Sequence, residues 1–416
     1  MQESLVSLQN RVEAPFVIMK IGDYTFGKSS YGGAKFNQPG TIKVTFPNYM
    51  VSLNAKKVNG TVNTYTIRLT YAITQDSDPN LLERIFSSVS TTRKITLQYG
   101  DWMLPAYVYK NEEAIITKIE SNVDINSSKI DYTITAVSSA TNLNAAVYNF
   151  SACVAKPSDK IKAILKNESY GVLDIYYGMK NESKNAFKSL IAGDDLAVKL
   201  EAKKNISILS YINYLVSCMT YVGDNPNAKL KSYRYFWASF DDISNEYEGP
   251  YFKIVRVDAN ARYSIDYNTY QVDVGYPSGN LISSFTINKN DSWALLYEHA
   301  DKVNLPEYTY EIDDDGKIKE ILSPSITNSS KYSMTTSSSK TWWSNMTQYP
   351  ISAELTIKGL LRPAVLTSYV KVNVLFYGRK HISSGLYIVT KHEDTIDANG
   401  YRSKLSLTRI SGDEMG

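Results

Sequence analysis

A short motif occurs twice in this chain of 416 residues, and the repeat limits how the chain can fold. Both copies fit the pattern I-[IV]-T-K-x-E-x-x-[VI]-D-x-N, first over residues 115–126 and again over 388–399. When 115–138 is aligned with 388–411 without a gap, eight of the paired residues are identical. A duplicated segment with a long stretch of other sequence in between indicates two copies of one domain.

The repeated segment has the pattern of a β-hairpin. In the second copy, Asn399-Gly400 forms one of the strongest two-residue hairpin signals, because both residues tolerate a positive φ. Leu405 and Leu407 then alternate with polar residues, which predicts one buried and one wet face. Upstream of the two copies, Leu97–Gly100 resembles Leu375–Gly378, so we expect an equivalent strand there.

We expect the first unit, residues 41–145, to consist of strands around one helix. Asp78 is suited to cap that helix, Pro79 is favoured at its first position, and apolar residues recur at helical spacing from Leu81 to Val89. A few strands that close against one helix make a small barrel or sandwich. The predicted strands lie at Thr41–Val51, Asn63–Ile73, Lys94–Gln98, Ala114–Ile119 and Lys129–Val137.

The segments on either side of this unit have a different character. Residues 1–40 are polar and glycine-rich, which predicts an arm with one short strand at Phe16–Met19. Residues 146–250 predict an α+β insertion, in which Ile206–Met219 carries an apolar stripe at three- and four-residue spacing that is typical of a core helix. Two further helices are predicted at Asp159–Leu165 and Asn185–Ile191.

The strand pattern returns over residues 251–416, which we interpret as the second copy of the domain. A helix at Trp293–Asp301 would take the place of the first unit's helix, a hairpin is expected at Tyr308–Leu322, and 323–341 is a Ser/Thr-rich surface loop. The predicted fold class is α+β and predominantly β. It comprises two barrel or sandwich domains with an α+β insertion between them.

Composition adds few constraints beyond its tyrosines. The 33 Tyr among abundant Thr, Ser and Val favour a β-rich chain with amphipathic side chains at surfaces or interfaces. The net charge of +3 gives no electrostatic reason to expect nucleic-acid binding. We expect no signal peptide and no membrane-spanning segment, and we interpret Cys153 and Cys218 as buried thiols.

The sequence does not contain a recognisable catalytic or metal-binding constellation. Only three histidines occur, without metal-ligand spacing, and the phosphate-binding, dinucleotide-binding and nucleophile-elbow motifs are missing. The acidic pairs Asp194-Asp195 and Asp241-Asp242 could serve glycoside hydrolysis, but adjacent loop acids are usually solvated. The run Asp313–Gly316 fits a turn better than a calcium loop. We therefore predict a scaffold, with no enzymatic activity, cofactor or metal.

The order of these segments resembles a known family. A β domain, an insertion, and a second β domain that ends in Gly385–Val389 and Asn399–Ile410 look like the baseplate hub, or tail-tube-capping, proteins of phage tails and contractile injection systems. The resemblance implies that each β domain is of the tail-tube type. It also implies a place in the tail or baseplate of a virion, with assembly in the host cytoplasm.

The resemblance implies a symmetry adaptor. Three copies of a chain with two tube-type domains form a pseudo-hexameric ring that can cap a sixfold tube and seat a threefold spike. The implied partners are the chain itself as a homotrimer, the tail tube protein, a trimeric spike or tip protein, and tape-measure or wedge proteins, with DNA only in transit. Our candidate interface residues are Tyr65, Ile67, Tyr99, Trp342, Trp343, Tyr377, Ile388, Leu405 and Leu407.

Two other functions stay open at this point. A distal-tail or tube-terminator protein would be a hexamer instead of a trimer. A tyrosine-rich glycan-binding or adhesin module would be a monomer or small oligomer with affinity for a polysaccharide, and Trp342-Trp343 could stack on its sugars.

Overall fold

A computed structural model gives the architecture of the chain. It describes residues 14–29, 46–47, 49–88, 93–101, 110–166, 190–191, 193, 195, 197–219, 235–240, 251–256, 268–274, 282–289, 309–312, 318–321, 351–358, 366, 368–381 and 383–412. Over these residues the structure is predominantly β with a few helices, which confirms the predicted fold class.

The described residues of the N-terminal third form eight strands and one α-helix. The strands are β1 (Pro15–Ile21), β2 (Tyr24–Ser29), β3 (Phe46–Pro47), β4 (Met50–Val58), β5 (Thr64–Ala72), β6 (Lys94–Asp101), β7 (Lys110–Asp124) and β8 (Lys129–Val137). The helix is α1 (Leu81–Ser88), and a turn in which the Asp78 carboxylate accepts a hydrogen bond from the Asn80 N–H precedes it.

The described residues in the middle of the chain form short strands, two α-helices and a 3-10 helix. The strands are β9 (Val147–Phe150), β10 (Cys153–Ala155), β11 (Leu190–Ile191), β12 (Val198–Leu200), β13 (Lys203–Ser207), β14 (Tyr235–Phe240) and β15 (Tyr251–Arg256). The helices are α2 (Pro157–Lys166) and α3 (Ile208–Cys218), and a 3-10 helix spans Ser139–Asn144. The apolar residues of α3 are buried, as their spacing predicted, in an apolar core that the middle of the chain forms separately from the cores of the other two parts.

The C-terminal part is described as strands alone. They are β16 (Asn268–Val274), β17 (Ile282–Lys289), β18 (Thr309–Ile312), β19 (Ile318–Ile321), β20 (Ile351–Lys358), β21 (Tyr369–Phe376), β22 (Arg379–Lys380), β23 (Gly385–Asp397) and β24 (Gly400–Gly412). Strands β18 and β19 pair as the expected hairpin. The predicted helix at 293–301 and the loop at 323–341 lie outside the described residues.

One large sheet joins the two ends of the chain. Its strand order is β17-β20-β24-β23-β4-β5-β8-β7-β6-β1-β2-β3, and β16, β21 and β22 extend it from β23. Each unit packs one face of its strands into an apolar core, with Tyr65, Ile67 and Leu69 of β5 in the first core. Val372, Leu355 and Leu405 lie in the second core.

The strand order and register of the first unit recur in the second. The series β4-β5-β8-β7-β6 corresponds to β17-β20-β24-β23-β21. Leu53 faces Ile67 across β4 and β5, and Phe285 faces Leu355 across β17 and β20. In both strands a register shift lies just N-terminal to these positions, between Met50 and Ser52 in β4 and between Ile282 and Ser284 in β17.

Pairing in the two hairpins corrects the ungapped alignment. Asp124 pairs with Lys129 across a four-residue turn, whereas Asp397 pairs with Gly400 across a two-residue turn. The second strands of the two hairpins, β8 and β24, are therefore equivalent at positions two residues away from those that the ungapped alignment pairs. Because side chains alternate with period two, that error left apolar residues matched with apolar ones.

The match between Leu97–Gly100 and Leu375–Gly378 is also wrong. Lys94 faces Ile115 while Tyr369 faces Ile388, so Tyr99 of β6 corresponds to Val374 of β21. The proposed match is three residues out of register. An odd offset puts side chains on opposite faces of a sheet, so those two tetrapeptides are not equivalent.

Three segments differ from the secondary structure that we expected. The described part of the predicted arm, β1 and β2, is a hairpin within the large sheet, because the apolar side chains of β1 complete the core beside β6. Within the strand predicted at Thr41–Val51, the described residues form β3 and the start of β4, which runs on to Val58 because β5 and β23 supply its pairing partners. Residues 41–45 and 48 lie outside the described residues. Leu190–Ile191, predicted as helical, is a strand because it pairs with β15.

Candidate functional site

The threonine of the repeated motif makes a β-bulge in each hairpin. Thr117 is the extra residue between Ile116 and Lys118 of β7, and Thr390 takes the same place in β23. Each hydroxyl donates to a carbonyl across the hairpin, Thr117 to Thr135 O at 3.2 Å and Thr390 to Ser406 O at 3.1 Å. A bulge bends its strand, so the two halves of each hairpin are set at an angle to each other.

The other polar residues of the motif also repeat their contacts. Lys118 and Glu120 form an ion pair at 2.7 Å, and Lys391 and Glu393 form one at 2.7 Å. At the hairpin tips, Asp124 accepts a hydrogen bond from the Asn126 N–H at 3.0 Å. Asp397 accepts one from the Asn399 N–H at 2.7 Å. These turns explain the D-x-N ending of the motif, because a short acidic side chain can satisfy the N–H two residues on.

Beyond its bulge, β23 leaves the second unit and pairs with the first. Before the bulge its outer edge pairs with β21, and from Lys391 to Ile396 it pairs antiparallel with Val58 to Leu53 of β4. We call this pairing of β4 with β23 the seam. As a result Ile396, on the second hairpin, lies in the apolar core of the first unit.

Side chains reinforce the seam on its outer face. The Asn54 Nδ2 donates to Glu393 Oε1 at 2.9 Å and to Thr395 Oγ1 at 3.0 Å. At the bulge, the Asn59 N–H donates to Thr390 O at 2.9 Å. Burial alone raises the pKa of Glu393, but hydrogen bonds from Lys391 and Asn54 outweigh burial and hold that pKa below its usual value.

The matching half of β7 differs in its surroundings. Among the described residues, no strand pairs with the outer edge of β7 beyond its bulge. The ion pair Lys118–Glu120 is accordingly 62% and 56% exposed, against 26% and 25% for Lys391–Glu393. Val123 is 60% exposed, whereas its counterpart Ile396 is fully buried. The two hairpins therefore differ in what covers them.

A buried ion pair lies behind the seam. Lys57 of β4 binds Glu112 of β7, and the Tyr65 and Tyr99 hydroxyls donate to the other Glu112 oxygen at 2.9 and 3.0 Å. Burial raises the pKa of Glu112, but the charges of Lys57 and Lys110 outweigh it and leave that pKa lowered. A buried carboxylate with this many partners stays ionised.

A second buried carboxylate stands on β23 in the seam. Asp394 accepts a hydrogen bond from the Ser403 hydroxyl at 2.5 Å, and its Oδ1 lies 3.0 Å from His392 Nε2. Burial raises the pKa of Asp394, yet His392, Lys110 and Ser403 lower it well below its usual value. Inside the core, the Lys57–Glu112 pair thus links β4 to β7, and Asp394 links β23 to β24 through Ser403.

The candidate interface residues fall into three groups. Six of them have buried side chains that pack inside the chain: Tyr65, Ile67, Tyr99, Ile388, Leu405 and Leu407. Tyr377 is 72% exposed at the turn between β21 and β22. Trp342 and Trp343 lie outside the described residues. A role for these side chains between subunits stays a prediction.

The polar residues of the seam could not be predicted from the sequence. Asn54, Glu393 and Thr395 read as ordinary solvent-facing strand residues, since their partner strand lies more than three hundred positions away in the sequence. The repeated motif is the sequence signal that points to this region. It places the same kinds of charged and apolar residues in both hairpins, although the surroundings of those residues in the fold differ.

The acidic pair at Asp194-Asp195 has a structural explanation for its described member. Asp195 is buried and accepts hydrogen bonds from the Ser158 N–H, at 2.9 Å, and from the Ser158 hydroxyl at the start of α2. Asp194, Asp241 and Asp242 lie outside the described residues. Within the described ranges no three potential ligand side chains come together as a metal site. No helix there is long and apolar enough to span a membrane.

No protein-family model matches this chain, and no curated protein does.

The fold does have relatives among solved structures. The tail protein from Neisseria meningitidis MC58 superposes with a TM-score of 0.53 at 9% identity, over 95% of this chain and 96% of that one. The 43 kDa tail protein of prophage MuSo2 from Shewanella oneidensis gives 0.49 at 11% identity, over 96% and 100%. The E. coli c3393 protein, a component of the type VI secretion system, gives 0.45 at 9% identity, over 87% and 74%. The resemblance to phage tail proteins that the sequence predicted is confirmed at the level of the fold.

Proposed function

We propose that this chain is a structural component of a phage-type tail, and that within it the chain is the baseplate hub. Three copies would form a pseudo-hexameric ring between a sixfold tail tube and a threefold spike. The observation that carries the proposal is the seam, where the hairpin of the second unit pairs with β4 of the first while the matching edge of β7 stays exposed.

Symmetry connects that observation to a ring. Two repeated units that join side by side through one pair of edges, and that keep the other pair open, can add further copies by the same contact. Such head-to-tail contacts close into a ring when the rotation per unit divides a full turn. With two units per chain, three chains present six similar domains and retain threefold symmetry.

The same proposal implies which partners the chain has and where it is located. The ring would contact the tail tube protein on one side and a trimeric spike or tip protein on the other, with tape-measure or wedge proteins as further neighbours. It would lie in the tail of the virion after assembly in the host cytoplasm, with DNA passing through its lumen. The buried carboxylates are engaged by lysine, histidine and hydroxyl partners, which supports a structural and non-catalytic role.

The mass of the purified chain in solution tests the proposal. Light scattering after size exclusion should give three chains of 46.8 kDa, and negative-stain images should show a ring with six lobes. A hexamer would favour a distal-tail or tube-terminator protein. A monomer at all concentrations, with affinity for a polysaccharide on a glycan screen, would favour the glycan-binding alternative and overturn the hub.

A further inference from the structure

The seam inside the chain supplies a template for a contact between chains. Strand β17 of the second unit is the counterpart of β4 in the first, because both pair with their neighbour in the same register and carry the same shift. In this correspondence Phe285 takes the place of Leu53, and Thr286 takes the place of Asn54. Strand β7 is likewise the counterpart of β23.

In the described part of a single chain, neither of the two counterpart edges has a partner strand. Among the described residues, β17 pairs with β20 alone, and the outer edge of β7 beyond Thr117 pairs with no strand. An open strand edge is a template for pairing with another chain. The seam within the chain is formed by the equivalents of these two edges, β4 and β23. Each unit therefore already has the strand geometry that the same contact between two chains needs.

We propose that the second half of β7 pairs antiparallel with β17 of a neighbouring copy, in the register of the seam. This inference rests on the proposed function and gives its ring a residue-level contact. The transferred register places Val123 opposite Phe285, Asn122 opposite Thr286, Ser121 opposite Ile287 and Glu120 opposite Asn288.

The side chains suit that register on the outer face. In the seam Asn54 donates to Thr395, and in the proposed contact Asn122 faces Thr286. The same amide and hydroxyl pair therefore recurs with its two members exchanged between the strands. Asn122 and Thr286 are both exposed in the single chain, so their side chains can meet a partner without rearrangement of a core.

The inner face supports the same register through its apolar residues. In the seam Ile396 and Leu53 are paired and fully buried in the first core. Their counterparts are Val123, which is 60% exposed, and Phe285, which packs only partly against the second core. Pairing would cover both side chains, so that the first hairpin of one copy completes the second core of the next.

Engineered disulfides test the register in the full-length chain. In a Cys153→Ser/Cys218→Ser background, the variant Asn122→Cys/Thr286→Cys should form disulfides between chains, giving an oxidised gel ladder that ends at three chains. Directly opposite residues in an antiparallel pair have Cα atoms about 4.5–5.5 Å apart, which a disulfide can span. The variant Lys118→Cys/Thr286→Cys, displaced by four residues on the same face, is the matched control and should not cross-link.

The seam provides a positive control for the chemistry. In the same background, Asn54→Cys/Thr395→Cys should lose both free thiols while remaining a single chain on the gel. If that control closes and light scattering shows a trimer, but Asn122→Cys/Thr286→Cys yields no cross-link, the register is wrong and the ring itself stands. A chain that stays monomeric throughout would overturn both proposals.

A charge on the open edge tests the contact independently. Val123→Asp should leave the fold of the single chain intact, because Val123 is exposed, and should convert the trimer to monomers by placing a carboxylate against Phe285. Ile125→Asp is the control, since Ile125 is 89% exposed in the hairpin turn beyond the paired residues. If both variants remain trimeric, this edge is not the contact.

Discussion

Thr117 and Thr390 make the same hydrogen bond at the same bulge in two hairpins that are distant in the sequence. Each hydroxyl replaces part of the ladder that the bulge interrupts. In β23 the bulge separates the half that pairs with β21 from the half that pairs with β4, and in β7 it separates the half that pairs with β6 from a half whose outer edge has no partner strand among the described residues. In each repeat the threonine therefore marks the point at which the pairing of the hairpin's outer edge changes.

Removal of this hydroxyl should weaken both hairpins, and the second one more. Thr390→Ala should lower the free energy of unfolding by about 1 kcal/mol, the usual contribution of one such hydrogen bond. Thr117→Ala should cost less, because Thr117 is exposed and Thr390 is half-buried beside the seam. Urea unfolding at constant pH measures both, with Thr390→Ser as the control that keeps the donor. Equal losses in all three variants would show that the methyl group matters instead.

The Asn54–Thr395 pair should stabilise the seam measurably. Asn54→Ala should cost about 1 kcal/mol or more, because the amide donates to both Glu393 and Thr395. A double-mutant cycle with Thr395→Ala should return a coupling energy of at least about 0.5 kcal/mol. Thr286→Ala, at the equivalent position on the open edge, should leave the monomer's stability unchanged. Additive losses would mean that the two side chains do not interact.

Lys57 should be far more costly to remove than any exposed lysine. Lys57→Met removes the cation that binds the buried Glu112 carboxylate, and breaking a buried pair from one side costs roughly 3–5 kcal/mol. The double variant Lys57→Met/Glu112→Gln should recover part of that loss, because it removes the uncompensated charge. Thermal unfolding compares the variants, with the exposed Lys118→Met as the control. A loss below about 1 kcal/mol would show that water reaches Glu112.

Acid should destabilise the fold through its buried carboxylates. The pKa values of Glu112 and Asp394 are lowered in the folded chain, so both groups bind protons more readily when unfolded. Their contribution is fully present above the unfolded pKa of about 4 and is lost as the pH falls below it. The free energy of unfolding should therefore drop below about pH 4, and Glu112→Gln should reduce the slope. An unchanged slope would assign the acid loss to other groups.

Local patterns predicted local elements well. The period-two alternation around Tyr65 and the apolar stripe of Ile206–Met219 both predicted the observed element, because each depends on residues close together in the sequence. The repeat also predicted its two hairpins, although the turn lengths shifted the second strands by two residues. A period-two structure hides a shift of that size from any alignment by hydrophobicity.

What joins the units could not be predicted in the same way. Lys57, Glu112 and Asp394 read as surface charges in sequence, and they are buried because strands from distant segments converge on them. Our candidate interface residues were chosen for being large and in strands, and that same property puts most of them in a core within the chain. Edge residues such as Asn122 carry no compositional signal of their own.

The turn at Tyr377-Gly378 gives a last prediction, and it concerns the candidate interface residue that is exposed among those the structure describes. Tyr377 and Gly378 both have positive φ, 51° and 78°, as a two-residue hairpin turn requires, and tyrosine is poorly suited to that conformation. Tyr377→Asn should therefore stabilise the chain by roughly 0.5–1 kcal/mol. Gly378→Ala should destabilise it by a similar amount through backbone strain alone, since an added Cβ meets nothing within 4 Å.

Two measurements on the same variant then test whether Tyr377 occupies this strained position because its ring contacts a neighbouring subunit. If its ring contacts a neighbouring subunit, Tyr377→Asn should raise the unfolding free energy of the monomer and at the same time weaken the oligomer. Unfolding at low concentration and light scattering across a dilution series report the two effects separately. An oligomer that dissociates at the same concentration as the parent chain would remove Tyr377 from the interface and leave the exposed edges of β7 and β17 to hold the ring.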